Sequence, residues 1–101
     1  MIQPDIIIHE PFDPSRHRSP DEGNLAVMEL KRTATPKSAA ADMESLVQMI
    51  EILGYPLAVF INLESEDTQA NAVPAAWRNR IVCFAVSLRD GKAHVIRSEA
   101  L

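Results

Sequence analysis

Residues 57–62 read LAVFIN, a nearly continuous apolar run set just after Gly54 and Pro56, and no other segment narrows the fold as far. A run apolar at almost every position is the pattern of a strand covered on both faces, so it predicts a central strand of an α/β sheet. The segment before it is helical. Met43, Leu46, Val47, Ile50 and Leu53 follow the i, i+3, i+4 spacing of one buried stripe, while Asp42, Ser45, Gln48 and Glu51 fall mainly on the other side. Thr35 and Pro36 supply a cap and a first-turn residue, with Ser38 as a competing cap. Gly54 stops the helix after Leu53 in the left-handed position, and Pro56 confirms the stop.

The remaining elements follow from the same local rules. Residues 5–9 (DIIIH) are short, β-branched and bounded by Pro4 and Pro11, which favours a strand. Residues 10–24 carry Pro11, Pro14, Pro20, Gly23 and Asn24 and read as a long exposed connection. Residues 25–31 (LAVMELK) form a second strand, antiparallel to the first, in which Glu29 and Lys31 share a face because side chains alternate. Residues 63–76 are acidic and interrupted by Pro74, giving a loop or short irregular helix. Residues 81–88 and 93–97 flank Arg89-Asp90-Gly91-Lys92, whose Asp-Gly pair signals a hairpin. The order β, β, α, β, β, β describes a single α/β domain over residues 1–101, with a central mixed sheet of about five strands and one main helix packed on it.

Composition excludes several classes. Ten Lys and Arg against fourteen Asp and Glu give a net charge of −4, so the chain lacks the broad positive field of a non-specific nucleic-acid binder and any polyanion contact is local. Cys83 is the one cysteine; it has no disulfide partner and no companion for a Cys-based metal cluster, which points to a reducing compartment. No apolar stretch approaches the roughly 18–20 residues that cross a bilayer, and the start Met1-Ile2-Gln3-Pro4-Asp5 lacks the basic and apolar regions of a secretory signal. The expectation is a cytoplasmic protein with no membrane partner. Three glycines scattered at 23, 54 and 91 make no phosphate-binding loop, which counts against a phosphate-ligand domain.

The residues that carry chemistry are Asp5, at the start of the first strand, with Glu29 and Lys31 on one face of the second. If the two strands pair, Asp5 and Glu29 converge at a shared end of the sheet, at a register that the sequence leaves open. Two adjacent carboxylates repel, and a divalent cation or a neighbouring ammonium such as Lys31 holds them ionised. Mg²⁺ suits hard oxygens and commonly takes one or two carboxylates, leaving positions for water and phosphate oxygens. Such an ion acidifies water and neutralises phosphodiester charge, and an ammonium beside it orients the water or stabilises transition-state charge.

Pro4-Asp5 opening an isoleucine strand, then Glu29-Leu30-Lys31 closing an apolar one, followed by an amphipathic helix and a buried strand, resembles the PD-(D/E)XK, or restriction-endonuclease-like, nuclease superfamily over residues 4–62 of 101. The resemblance implies a restriction-endonuclease-like core. It also implies that Asp5 and Glu29 bind Mg²⁺ or Mn²⁺, that the Leu30 carbonyl completes the coordination, and that Lys31 assists the attacking water. The implied activity is metal-dependent endonucleolytic hydrolysis of DNA, or RNA, phosphodiesters. Members of the superfamily normally begin with a helix and a strand ahead of the PD strand, whereas three residues precede Pro4 here. The expectation is an N-terminally short member: either a fragment or shortened relative of a longer protein, or a chain whose exposed sheet face is covered by a homodimer or partner subunit.

Several residues have competing readings. His9 shares parity with Asp5, yet a strand-end histidine reads first as a hydrogen-bonded structural residue. Arg16-His17-Arg18 and Lys31-Arg32 match phosphate chemistry, with solvated loop charge the plainer reading of the first group. Trp77 beside Arg78 and Arg80 offers one base-stacking platform, but a lone Trp reads first as cover under the last hairpin. Met28, Met43 and Met49 read as core filler. The alternative for the whole chain is a catalytically inactive binding or assembly module of the same fold, with Glu29 and Lys31 merely paired.

Overall fold

A computed structural model describes residues 4–98; residues 1–3, read above for the absence of a signal sequence, and residues 99–101 lie outside the described residues. Among the described residues, five strands form one mixed sheet in sequential order: β1 (Ile6–His9), β2 (Asn24–Arg32), β3 (Leu57–Leu63), β4 (Ile81–Arg89) and β5 (Lys92–Ser98). β1 runs antiparallel to β2, β2 and β4 flank β3 in parallel, and β5 returns antiparallel beside β4. A long helix, α1 (Pro36–Leu53), connects β2 to β3, and two short 3-10 turns, Ala70–Ala72 and Ala75–Trp77, lie between β3 and β4. No helix among the described residues is long and apolar enough to cross a membrane.

Local chemistry accounts for the ends of α1. The Thr35 hydroxyl accepts from the Ser38 amide at 3.1 Å and the Ser38 hydroxyl accepts from the Thr35 amide at 3.0 Å, a reciprocal cap worth about 1 kcal/mol. At the other end Gly54 takes φ 72° and its amide bonds back to the Ile50 carbonyl, closing the helix where a side chain would be strained. The β4–β5 hairpin uses Asp90 and Gly91, both at positive φ, as a two-residue turn whose twist matches the strands.

The core lies between α1 and one face of the sheet. Val27, Ala58, Phe60, Ile81 and Cys83 meet Ala39, Met43, Leu46, Met49 and Ile50, and each large side chain buried there contributes about 1.5–3 kcal/mol. This stripe is rotated from the expected one: Ala39 and Met49 are buried, Val47 is half-buried, and Leu53 sits at the helix end with a third of its surface in water. Rotation toward the Met49 flank carries Asp42 with it, because the two residues lie about two turns apart on the same side.

β3 is central, as its apolar run requires, but a helix covers it on one face alone. Ala58, Phe60 and Asn62 lie under α1 fully buried, whereas Met28, Leu30, Ile61, Phe84 and Val86 on the opposite face are half-buried and no helix among the described residues lies over them. Neighbouring strands, rather than a second layer, account for the shielding of Val59 there.

Candidate functional site

β1 and β2 hold the long connection between them at its base. The Glu10 amide bonds to the Gly23 carbonyl at 2.7 Å, and a Cβ on Gly23 would lie 2.2 Å from the Glu10 carbonyl oxygen, so only a residue without a side chain permits this approach. The resulting register pairs Ile6 with Met28, Ile7 with Val27 and Ile8 with Ala26. Continued by one position, the ladder sets Asp5 opposite Glu29. Opposed residues of an antiparallel pair project to the same face.

Asp5 is exposed and its Oδ2 accepts from the Leu30 amide at 2.7 Å, which fixes the carboxylate against β2. Glu29 is half-buried beside it. Burial, then the Asp5 and Asp42 charges, then a hydrogen bond with Asp5 push the Glu29 carboxyl up to about 7, and Lys31 offsets part of this rise. Lys31 shares the face of Glu29 and sends its ammonium to α1, where Nζ lies 3.3 Å from Asp42 Oδ2. That oxygen is shielded from solvent and no donor is aligned on it as a hydrogen bond, so the contact with Lys31 is ionic in character.

The structure thus brings together Asp5, Glu29 and Lys31 as the sequence anticipates, and adds Asp42, which the helical pattern assigned to the solvent side. The signal for Asp42 was its place three residues after Ala39 and four before Leu46, two positions of the buried stripe. Leu30 contributes its amide to Asp5, and its side chain turns to the open face.

Two bracing contacts fix α1 relative to the site. Asn62, fully buried, accepts from the Ala34 amide at 2.8 Å and donates to the Asp67 carbonyl at 2.8 Å. Gln69 Nε2 donates to the Ala34 carbonyl at 3.0 Å. Together they pin the chain entering α1 to the loop leaving β3, at the carboxyl ends of parallel strands, where α/β sheets most often bind ligands.

The secondary candidates have local employment. His9 Nε2 lies 3.2 Å from the Pro20 carbonyl, Arg16 pairs with Glu10, and His17 is held by the Asp13 amide and lies 3.8 Å from Glu10. Arg32 bonds Glu64 at 2.8 Å. Trp77 packs against the core, with Arg80 over its ring and donating to the Tyr55 and Pro56 carbonyls, so this pair braces the β3–β4 connection. The Cys83 thiol is buried and pushed up to about 11 by that burial, which removes it as a nucleophile.

Chemically, three carboxylates face one ammonium, and full ionisation leaves two negative charges uncompensated. The donor set is of the hard-oxygen kind that a divalent cation would suit: two neighbouring carboxyl groups, one of them raised to about 7 by burial and then by its acidic neighbours. No group of three or more His, Cys, Asp or Glu among the described residues is arranged to hold one ion. Two protein carboxylates are a donor number that Mg²⁺ commonly takes, with water completing its shell. Neither a family model, nor a curated protein, nor a solved structure matches the chain.

Proposed function

We propose that this chain is a Mg²⁺- or Mn²⁺-dependent phosphodiesterase domain of restriction-endonuclease-like type that cleaves DNA or RNA. The observation that carries the reading is the cross-strand meeting of Asp5 and Glu29 beside Lys31, with the Glu29 carboxyl raised to about 7 by burial and by its acidic neighbours. Asp5 and Glu29 are the residues that would hold the cation, with the Leu30 carbonyl as the further oxygen implied by the Glu29-Leu30-Lys31 pattern. When bound, the ion supplies an acidified water and neutralises charge on the phosphodiester.

The chain's own residues do the rest. The Leu30 amide keeps the Asp5 carboxylate fixed, so its orientation costs nothing at the moment of binding. Lys31 presents a permanent positive charge on the site's face, suited to orienting a water or opposing charge that develops on a phosphate oxygen. Phe60, next to Glu29 in the β2–β3 ladder and fully buried, limits water on the core side of the site.

A second reading is favoured by the uncovered apolar sheet face: a binding module whose sheet docks a second copy or a partner subunit, with the acidic site silent. Melting and cleavage assays separate the two. Mg²⁺ or Mn²⁺ should raise the melting temperature of the native chain by linkage, and Asp5→Ala or Glu29→Ala should abolish the rise. Lys31→Met should retain the rise and lose metal-dependent cleavage of single- or double-stranded DNA. A native melting temperature indifferent to either ion, with no cleavage, defeats the nuclease reading and leaves the module.

A further inference from the structure

Lys31 has two anionic neighbours, Glu29 two residues back on its own strand face and Asp42 on α1, and its ammonium sits on Asp42. The choice has consequences. Residues i and i+2 of a strand lie about 7 Å apart, well within the swing of a four-carbon side chain, so without Asp42 the Glu29 carboxylate is a counter-charge within reach of Lys31. An ammonium lodged on Glu29 would occupy a carboxylate oxygen and cancel the charge that attracts a divalent cation. Asp42 is equipped to prevent this: its Oδ2 is shielded from water and has no aligned hydrogen-bond donor, leaving the ion contact at 3.3 Å to compensate it. The braces through Asn62 and Gln69 hold α1, and therefore Asp42, at that distance from β2.

We propose that Asp42 is a positioning residue that draws the Lys31 ammonium off Glu29 and so keeps the Asp5–Glu29 pair open to a divalent cation. This role rests on the metal reading of the site. It makes the effect of Asp42 on metal binding conditional on Lys31, whereas a carboxylate acting directly through its charge would not depend on the lysine.

A double-mutant cycle read by Mn²⁺ titration calorimetry at pH 8 tests it, using the native chain, Asp42→Asn, Lys31→Met and the double variant. Asp42→Asn should weaken Mn²⁺ binding about tenfold in the native background and no more than about twofold in the Lys31→Met background. Equal losses in both backgrounds overturn the role of Asp42 and leave the metal site standing. A native chain that shows no saturable Mn²⁺ binding overturns the metal site, and this role with it. If Asp42→Asn fails to fold, Asp42→Glu replaces it: affinity kept within about threefold supports the role, because the charge is retained, and a tenfold loss overturns it.

Discussion

Replacing Glu29 by glutamine should stabilise the metal-free protein, and do so in a pH-dependent way. Glutamine keeps the size of the side chain and can donate to Asp5 as the protonated carboxyl does, but carries no charge. The Glu29 carboxyl stands at about 7 in the folded chain against an ordinary value of 4.5. Below 4.5 the group is protonated whether folded or unfolded, so it contributes nothing to pH dependence. Between 4.5 and about 7 the folded chain retains a proton that the unfolded chain has released, so stability falls as pH rises through this window. Above about 7 the whole penalty stands. At about 1.4 kcal/mol per pH unit the rise corresponds to about 3 kcal/mol, and solvent screening of a partly exposed site reduces this to about 1–2 kcal/mol. For a domain of this size such a gain is about 5–10 °C in melting temperature. Thermal melts of native and Glu29→Gln chains in chelator at pH 4 and pH 8 should therefore coincide at the acid end and differ by that margin at the alkaline end. A difference of the same size at both pH values, or a variant that melts no higher than native at pH 8, refutes the account of Glu29 as a carboxyl raised by burial and by its acidic neighbours.

Asn62→Ala should cost about 2–4 kcal/mol in urea unfolding, since it strands the Ala34 amide and the Asp67 carbonyl in a buried region and opens a cavity. Thr35→Ala removes the acceptor for the Ser38 amide and should cost about 1 kcal/mol, with faster hydrogen exchange concentrated in the first turn of α1.

Elements set by local chemistry were legible in the sequence. The Thr35-Pro36 start, the Gly54 stop and the Asp90-Gly91 turn each depend on a backbone conformation that few residues adopt, and each lies where the sequence puts it. The antiparallel β1–β2 pair followed from two strands joined by a proline-rich connection. Asp42 was less legible because a helical wheel resolves the centre of a stripe better than its flanks. Burial of Met49 in place of Leu53 is decided by how far the sheet extends beneath the helix, which periodicity does not record. The run at β3 was read as covered on both faces because apolar side chains report avoidance of water and are silent on what supplies the cover. At the site, residue types pointed to Asp5, Glu29 and Lys31, whereas the partner of Lys31 depends on the distance between α1 and β2, a tertiary quantity with no local signature.

The electrostatics of the site tie the two functional readings to one variable. A phosphodiester is an anion, and a face carrying three carboxylates and one ammonium repels it; the net charge of −4 for the chain offers no compensating field. Arg16, Arg32 and Arg89 are each paired with a glutamate, at Glu10, Glu64 and Glu66, so their charge is locally compensated. On the proposed function, a nucleic acid would approach Glu29 and Lys31 more readily once a divalent cation had added two positive charges, so the cation would assist substrate binding as well as bond cleavage. A partner that docks on the uncovered face meets apolar side chains from β1 through β4 and is indifferent to that cation. The acidic face and the apolar face are thus separate surfaces of one sheet, and the proposed dependence on divalent metal concerns the first alone.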